Sequence, residues 1–151
     1  MQSNPNALSF ELRIADISRS AINAGTEVPV VRESAFRTST LELLDVPVDA
    51  RFRYAFRLFE MNLDHAEFVV RVLDQTTDQT VSEEHLVTST PAQGPLRFTP
   101  GFAEIVNVVS PSGAPSRIRV EVQPLTGGSA FWAYVSVTNN ESQQLTLVTP
   151  H

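Results

Sequence analysis

The chain has no cysteine among its 151 residues. That excludes disulfide staples, thiolate metal sites and a cysteine nucleophile together, yet it leaves the compartment open, because many exported bacterial proteins also lack cysteine. Lysine is absent too: all 11 basic residues are arginine, a skew that reflects codon usage in a GC-rich genome more than mechanism. No apolar run approaches the ~18 residues of a membrane helix. Positive charge is scarce overall. With 11 basic against 17 acidic residues the formal charge is −6, which argues against a nucleic-acid surface, since such surfaces draw their affinity from clustered cations. The opening MQSNPNALSF has neither the basic nor the apolar stretch of a signal peptide. A chain that begins after a removed leader reads the same way.

What is present is alternation. Hydrophobic residues make up 42% and charged residues 19%, a balance that suits one folded domain spanning residues 1–151, with residues 1–7 as a flexible start. In SRIRVEV, Ile118, Val120 and Val122 point one way while Arg117, Arg119 and Glu121 point the other, the pattern of a half-buried strand. FRYAFRLF alternates likewise, with Phe52, Tyr54, Phe56 and Leu58 on one face. Further strands are predicted at Phe10 to Ile14, Leu41 to Leu44, Phe68 to Leu73, Phe102 to Val109, Phe131 to Thr138 and Leu145 to Val148, with weaker runs near Val28 to Val31 and Val81 to Val87. Turn formers separate them at Asn23 to Gly25, Pro47 to Asp49, Asp74 to Asp78, Pro111 to Pro115, Gly127 with Gly128, and Asn139 with Asn140. Helical spacing is confined to single turns at Asp16 to Ala24 and Arg32 to Phe36. About eight to ten short, evenly spaced strands predict an all-β fold, a two-sheet antiparallel β-sandwich of Ig-like or jelly-roll type.

The two halves are alike. VRVLDQTTDQT from Val70 matches VSVTNNESQQL from Val135, RYAFRL from Arg53 resembles RIRVEV from Arg117, and LLDVP from Leu43 is similar to VNVVSP from Val106, all in the same order. Two units at about 27–88 and 95–149, each unable to bury its apolar face alone, would close into one core. The generic likeness of β-hairpins is the competing account.

These segments also resemble a family of uncharacterised β-sandwich domains of exported bacterial proteins. In that family a stretch like FRTSTLELLDVP, here Phe36 to Pro47, precedes an arginine-rich strand and an acidic turn, and the domain closes with something like FWAYVSVTNNESQQLTLVTP, here Phe131 to Pro150. The resemblance implies the fold and a secreted or cell-surface location. Its motifs are strand-and-turn patterns, so it assigns no functional residue.

A search for chemistry returns little. A Ser/His/acid triad lacks a GxSxG elbow and any local frame around His65 or His85. His65, His85 and the terminal His151 are too far apart for a zinc site, and Asp64, His65 and Glu67 read as a solvated loop. Glu83 and Glu84 face opposite sides of a strand, and Glu104 with Glu121 is no closer to a glycosidase pair. Gly127 and Gly128 have no following helix to cradle phosphate. No cofactor is expected, and calcium is the more serious metal candidate: Asp74 and Asp78 frame the turn DQTTD, and Asp45 and Asp49 flank Pro47. Asp in turns more commonly bonds its own backbone.

The chain is therefore expected to be a non-enzymatic structural or protein-interaction module of an exported bacterial protein, self-assembling through a sheet edge or outer face. Trp132 and Tyr134 of FWAY, with Phe59 and Leu73, lie on nominally outer faces and are the candidate binding surface; the competing and favoured account is that both faces are covered and Trp132 packs beneath a loop, since sandwiches commonly bury their one tryptophan. The alternative is an extracellular carbohydrate-binding module that presents Trp132 and Tyr134 to a glycan. With no lysine to guard its sheet edges, the chain must blunt them with arginine, proline or pairing, and the strand from Phe10 to Ile14 is a candidate for donation to a neighbour.

Overall fold

The computed structural model describes residues 12–14, 26–28, 30–61, 65–89, 101–106 and 117–150. Expectations for residues 1–7, the turn at Asp16 to Ala24, Asn23 to Gly25, Pro111 to Pro115, Asp64, His151 and the end of a predicted strand at residues 107–109 lie outside the described residues. Residues 1–35 and 36–151 form two units. In the first, β1 (Leu12–Ile14) pairs antiparallel with β2 (Thr26–Val28), so the strand considered for donation has a partner in its own unit. One 3-10 turn follows at Glu33–Ala35, within the segment read as a single helical turn.

The second unit is a two-sheet antiparallel β-sandwich. Its strands are β3 (Leu41–Pro47), β4 (Phe52–Glu60), β5 (Glu67–Asp74), β6 (Thr80–Val87), β7 (Gly101–Val106), β8 (Arg117–Pro124), β9 (Phe131–Asn139) and β10 (Leu145–Val148). One sheet runs β10-β9-β4-β7 and the other β3-β8-β5-β6, every pair antiparallel. Of these eight strands, only β5–β6 and β9–β10 are neighbours in both sequence and sheet.

Alternation builds the core. Tyr54, Phe56 and Leu58 of β4 and Phe131, Ala133, Val135 and Val137 of β9 are buried against Phe68, Val70 and Val72 of β5 and Ile118, Val120 and Val122 of β8. Phe68 meets Phe131 edge-on across the sandwich, ring centres 5.0 Å apart. Each such side chain, fully buried, stabilises the fold by about 1.5–3 kcal/mol. Strand β3 adds Leu41, Leu43 and Val46, and reaches them through a bulge between Leu43 and Val46. Asp45 takes the left-handed conformation there, φ 58°. Gln75 holds it: the Asp45 N–H donates to Gln75 Oε1 at 2.8 Å and Gln75 Nε2 donates to Asp45 Oδ1 at 3.0 Å.

The two hairpins end in the same turn. Asp74 N–H donates to Gln79 O and Asn139 N–H to Gln144 O, each at 2.9 Å. Asp74 Oδ1 accepts from the amides of Thr76 and Thr77, and Asn139 Oδ1 from those of Glu141 and Ser142. Asp78 and Gln143 then adopt φ of 61° and 57°. Gln75 N–H bonds to Arg117 O as Asn140 N–H bonds to Arg51 O. The residue in the position of Arg117 is therefore Arg51, where the sequence match sets Arg53. A two-residue shift leaves every side chain on the same face, so the sequence pattern is blind to it. Exchanging β3, β4, β5 and β6 with β7, β8, β9 and β10 converts the strand order of one sheet into that of the other.

Candidate functional site

The four residues expected to form one binding surface divide between opposite sides of the sandwich. Phe59, Trp132 and Tyr134 meet on the outer face of the β10-β9-β4-β7 sheet, where Phe59 pairs in register with Trp132 and Arg57 with Tyr134. Trp132 and Tyr134 rings lie 5.4 Å apart, and Phe59 stacks at 6.4 Å from the first and 6.2 Å from the second. Arg57 Nη1 donates to the Tyr134 hydroxyl at 3.1 Å. Leu73 belongs to the other sheet, paired with Arg119 and Thr80.

Exposure agrees with the account in which the outer face is covered. Trp132 is 7% exposed, Tyr134 8% and Leu73 8%. Alternation along a strand separates two faces; it carries no information on whether the outward face is covered. β9 shows this along its length, since all residues from Phe131 to Val137 are buried. Trp132 and Tyr134 are thus packed, with Phe59 half-buried beside them.

The outer face of the second sheet is polar. Arg71 sits at its centre, with Nε donating to Glu83 Oε2 at 2.7 Å, and Nη1 to Glu121 Oε1 at 3.0 Å and Gln123 Oε1 at 2.8 Å. Glu83 first, then Glu121, raises the guanidinium pKa above its ordinary value. Arg119 pairs with Asp78 at 2.8 Å, and Arg117 with Asp45 at 3.2 Å. Val69 and Leu73, although outward, are buried among long cross-strand neighbours, Gln123 and His85 beside the first and Arg119 beside the second.

One oxygen of each aspartate in DQTTD is engaged within the protein: Asp74 Oδ1 holds two turn amides, and Asp78 Oδ1 faces Arg119. The turn amides depress the Asp74 pKa. Asp49 clamps Arg51, with Oδ1 accepting from the Arg51 backbone at 2.8 Å and Oδ2 from Nη2 at 2.8 Å, and these bonds pull its pKa down to about 2. Among the described residues no group of three His, Asp or Glu side chains converges on a point where a cation would bind. His65 is exposed with φ 60°, and Glu121 faces Arg71, while Glu104 stands in backbone register with Arg57 in the other sheet, so the two glutamates belong to different sheets. A polar cleft of about 290 Å³ opens at Arg37, Thr40, Glu42 and Pro150. Between the sheets, a void of about 20 Å³ beside Tyr54, Val70 and Val135 has Glu84 in its lining.

The feature that sequence reasoning underrated is β6. Among the described residues it ends its sheet, with β5 on one side, and Thr80, Val81, Glu83, Glu84, His85 and Val87 are all exposed. Val81 is 37% and Val87 54% exposed. The signal was present in VSEEHLV: neither Val81, Glu83, His85 and Val87 nor Ser82, Glu84 and Leu86 make a consistently apolar face, as fits an edge strand that gives the core only Leu86. Comparison with protein-family models, curated proteins and solved structures returns no match for this chain.

Proposed function

We propose that this chain is a non-enzymatic structural and protein-interaction module of an exported bacterial protein, and that it self-associates through a sheet edge. The observation that carries the reading is β6, whose outer ladder is unpaired among the described residues and which exposes two valines, Val81 and Val87. The polar outer face of the same sheet supports it, because its charged groups are spent on one another in cross-strand pairs instead of converging on a substrate. The secreted or cell-surface location rests on the resemblance of the strand-and-turn pattern. Sedimentation velocity of the full chain over a wide concentration range tests the association: a reversible rise in mean mass is expected, and a strict monomer throughout overturns it. Fractionation of the producing bacterium tests the location, with the protein expected outside the cytoplasm and cytoplasmic retention contradicting export.

A further inference from the structure

The backbone of β6 and the order of its side chains select a partner. Thr88 N–H bonds to Ala66 O at 2.9 Å, so the bonded positions toward β5 recur at Leu86, Glu84 and Ser82. The N–H and C=O groups of Glu83, His85 and Val87 therefore point away from β5, toward the open edge. An antiparallel strand can dock there only in registers that set these outward residues against its own outward residues.

For a second copy of β6, three such registers are central. With Glu83 on the two-fold axis, the carboxylate faces itself and Val81 faces His85. With His85 on the axis, Glu83 faces Val87. With Glu84 on the axis, Val81 of each copy faces Val87 of the other, and Glu83 of each faces His85 of the other. Only the last register matches both exposed valines and sets a carboxylate against an imidazole N–H on both sides. We propose that β6 pairs antiparallel with β6 of a second copy about an axis through Glu84, joining two four-stranded sheets into one of eight. This rests on the self-association reading above.

Details of the strand fit that register. Glu83 Oε2 is held by Arg71, which fixes the side chain and leaves Oε1 for the second copy, 3.9 Å from its own His85. The β5–β6 register shifts between Val72 and Leu73, where Val81 is the extra residue. The bulge ends the regular ladder at Val81 and confines pairing to the short stretch up to Val87. Glu84 is the cost: two carboxylates meet across the axis, so the dimer is weak and reversible.

A chain without cysteine allows a direct test. Directly opposed residues at a non-hydrogen-bonded antiparallel position lie close enough for a disulfide, and Glu84 is such a position in this register. Glu84→Cys, Glu83→Cys and His85→Cys are made in the full chain, checked for folding by circular dichroism and mildly oxidised. Glu84→Cys is expected to be captured as a dimer about tenfold faster than the other two. A lead for either neighbour, or equal rates for all three, overturns the pairing. Glu84→Gln, which removes the axial repulsion, is expected to tighten the dimer of the cysteine-free chain about three- to fivefold; unchanged or weaker association contradicts the register. Sedimentation of the unsubstituted chain separates the two failures. Dimers without preferential capture at Glu84 refute this register and leave self-association standing, whereas a strict monomer refutes both.

Discussion

Asp49 shows how much of the β3–β4 corner rests on single side chains. Its carboxylate holds Arg51, while the Tyr54 hydroxyl accepts from the Asp49 N–H at 2.9 Å and donates back to Asp49 O at 3.3 Å. A tyrosine hydroxyl turned back onto upstream backbone is a recurrent corner device in β-sandwiches. Because the folded pKa of Asp49 lies at about 2, below the ordinary aspartate value near ~3.9, its contribution is present above that ordinary value and fades as pH falls through the folded one. Asp49→Asn is expected to lower stability slightly at pH 6, the pair being solvent-screened. The gap from the parent is expected to narrow as acid is added, read from urea midpoints across the acidic range. A gap that widens with acid contradicts the assignment. At the same scale, burial of Trp132 changes what its removal means. Trp132→Ala is expected to cost about 3 kcal/mol in chemical denaturation, as for other large-to-small changes at buried aromatics; a variant of unaltered stability would show that the ring is displayed to solvent after all.

At the scale of elements, the sequence carried the strands but not their company. Ile118, Val120 and Val122 announce β8 because one face of the strand is buried and the other is not, and Leu145 to Val148 is found as expected. Leu73 and Trp132 were placed on outward faces correctly, yet their burial depends on what lies over them, which no period-2 pattern encodes. The bulge at Asp45 was hidden for a related reason: it is stabilised by Gln75, 30 positions away in the chain. The likeness of the two halves was legible in Asp74 and Asn139, which perform the same turn chemistry, and mis-set by two residues at Arg53. The shared turn makes a strong expectation. Replacing residues 76–79 by the sequence of 141–144 keeps the Asp74 acceptor and the Gln75 side chain that holds Asp45, and gives up the pair of Asp78 with Arg119. The chimera is expected to fold within about 1 kcal/mol of the parent, and a collapse of its thermal transition would mean that the two turns are not interchangeable.

The whole sandwich has two unlike outer faces and an edge between them. One sheet carries stacked aromatics, the other an arginine-centred network of cross-strand pairs. Pairing of β4 with both β7 and β9 joins segments far apart in sequence, and nothing local in FRYAFRLF specifies those neighbours. The edge strand was legible only as a weak strand, because VSEEHLV buries little of itself. The proposed association draws on that same edge: the remaining N–H and C=O groups of β6 have no partner strand among the described residues. The most direct measurement is residue-resolved amide hydrogen exchange of the full chain at low and high concentration. Ser82, Glu84 and Leu86, bonded to β5, are expected to be protected at both. Glu83, His85 and Val87 are expected to exchange quickly when dilute and to slow together when concentrated. Concentration-independent exchange at those three amides, or new protection confined to another strand, would contradict association through β6.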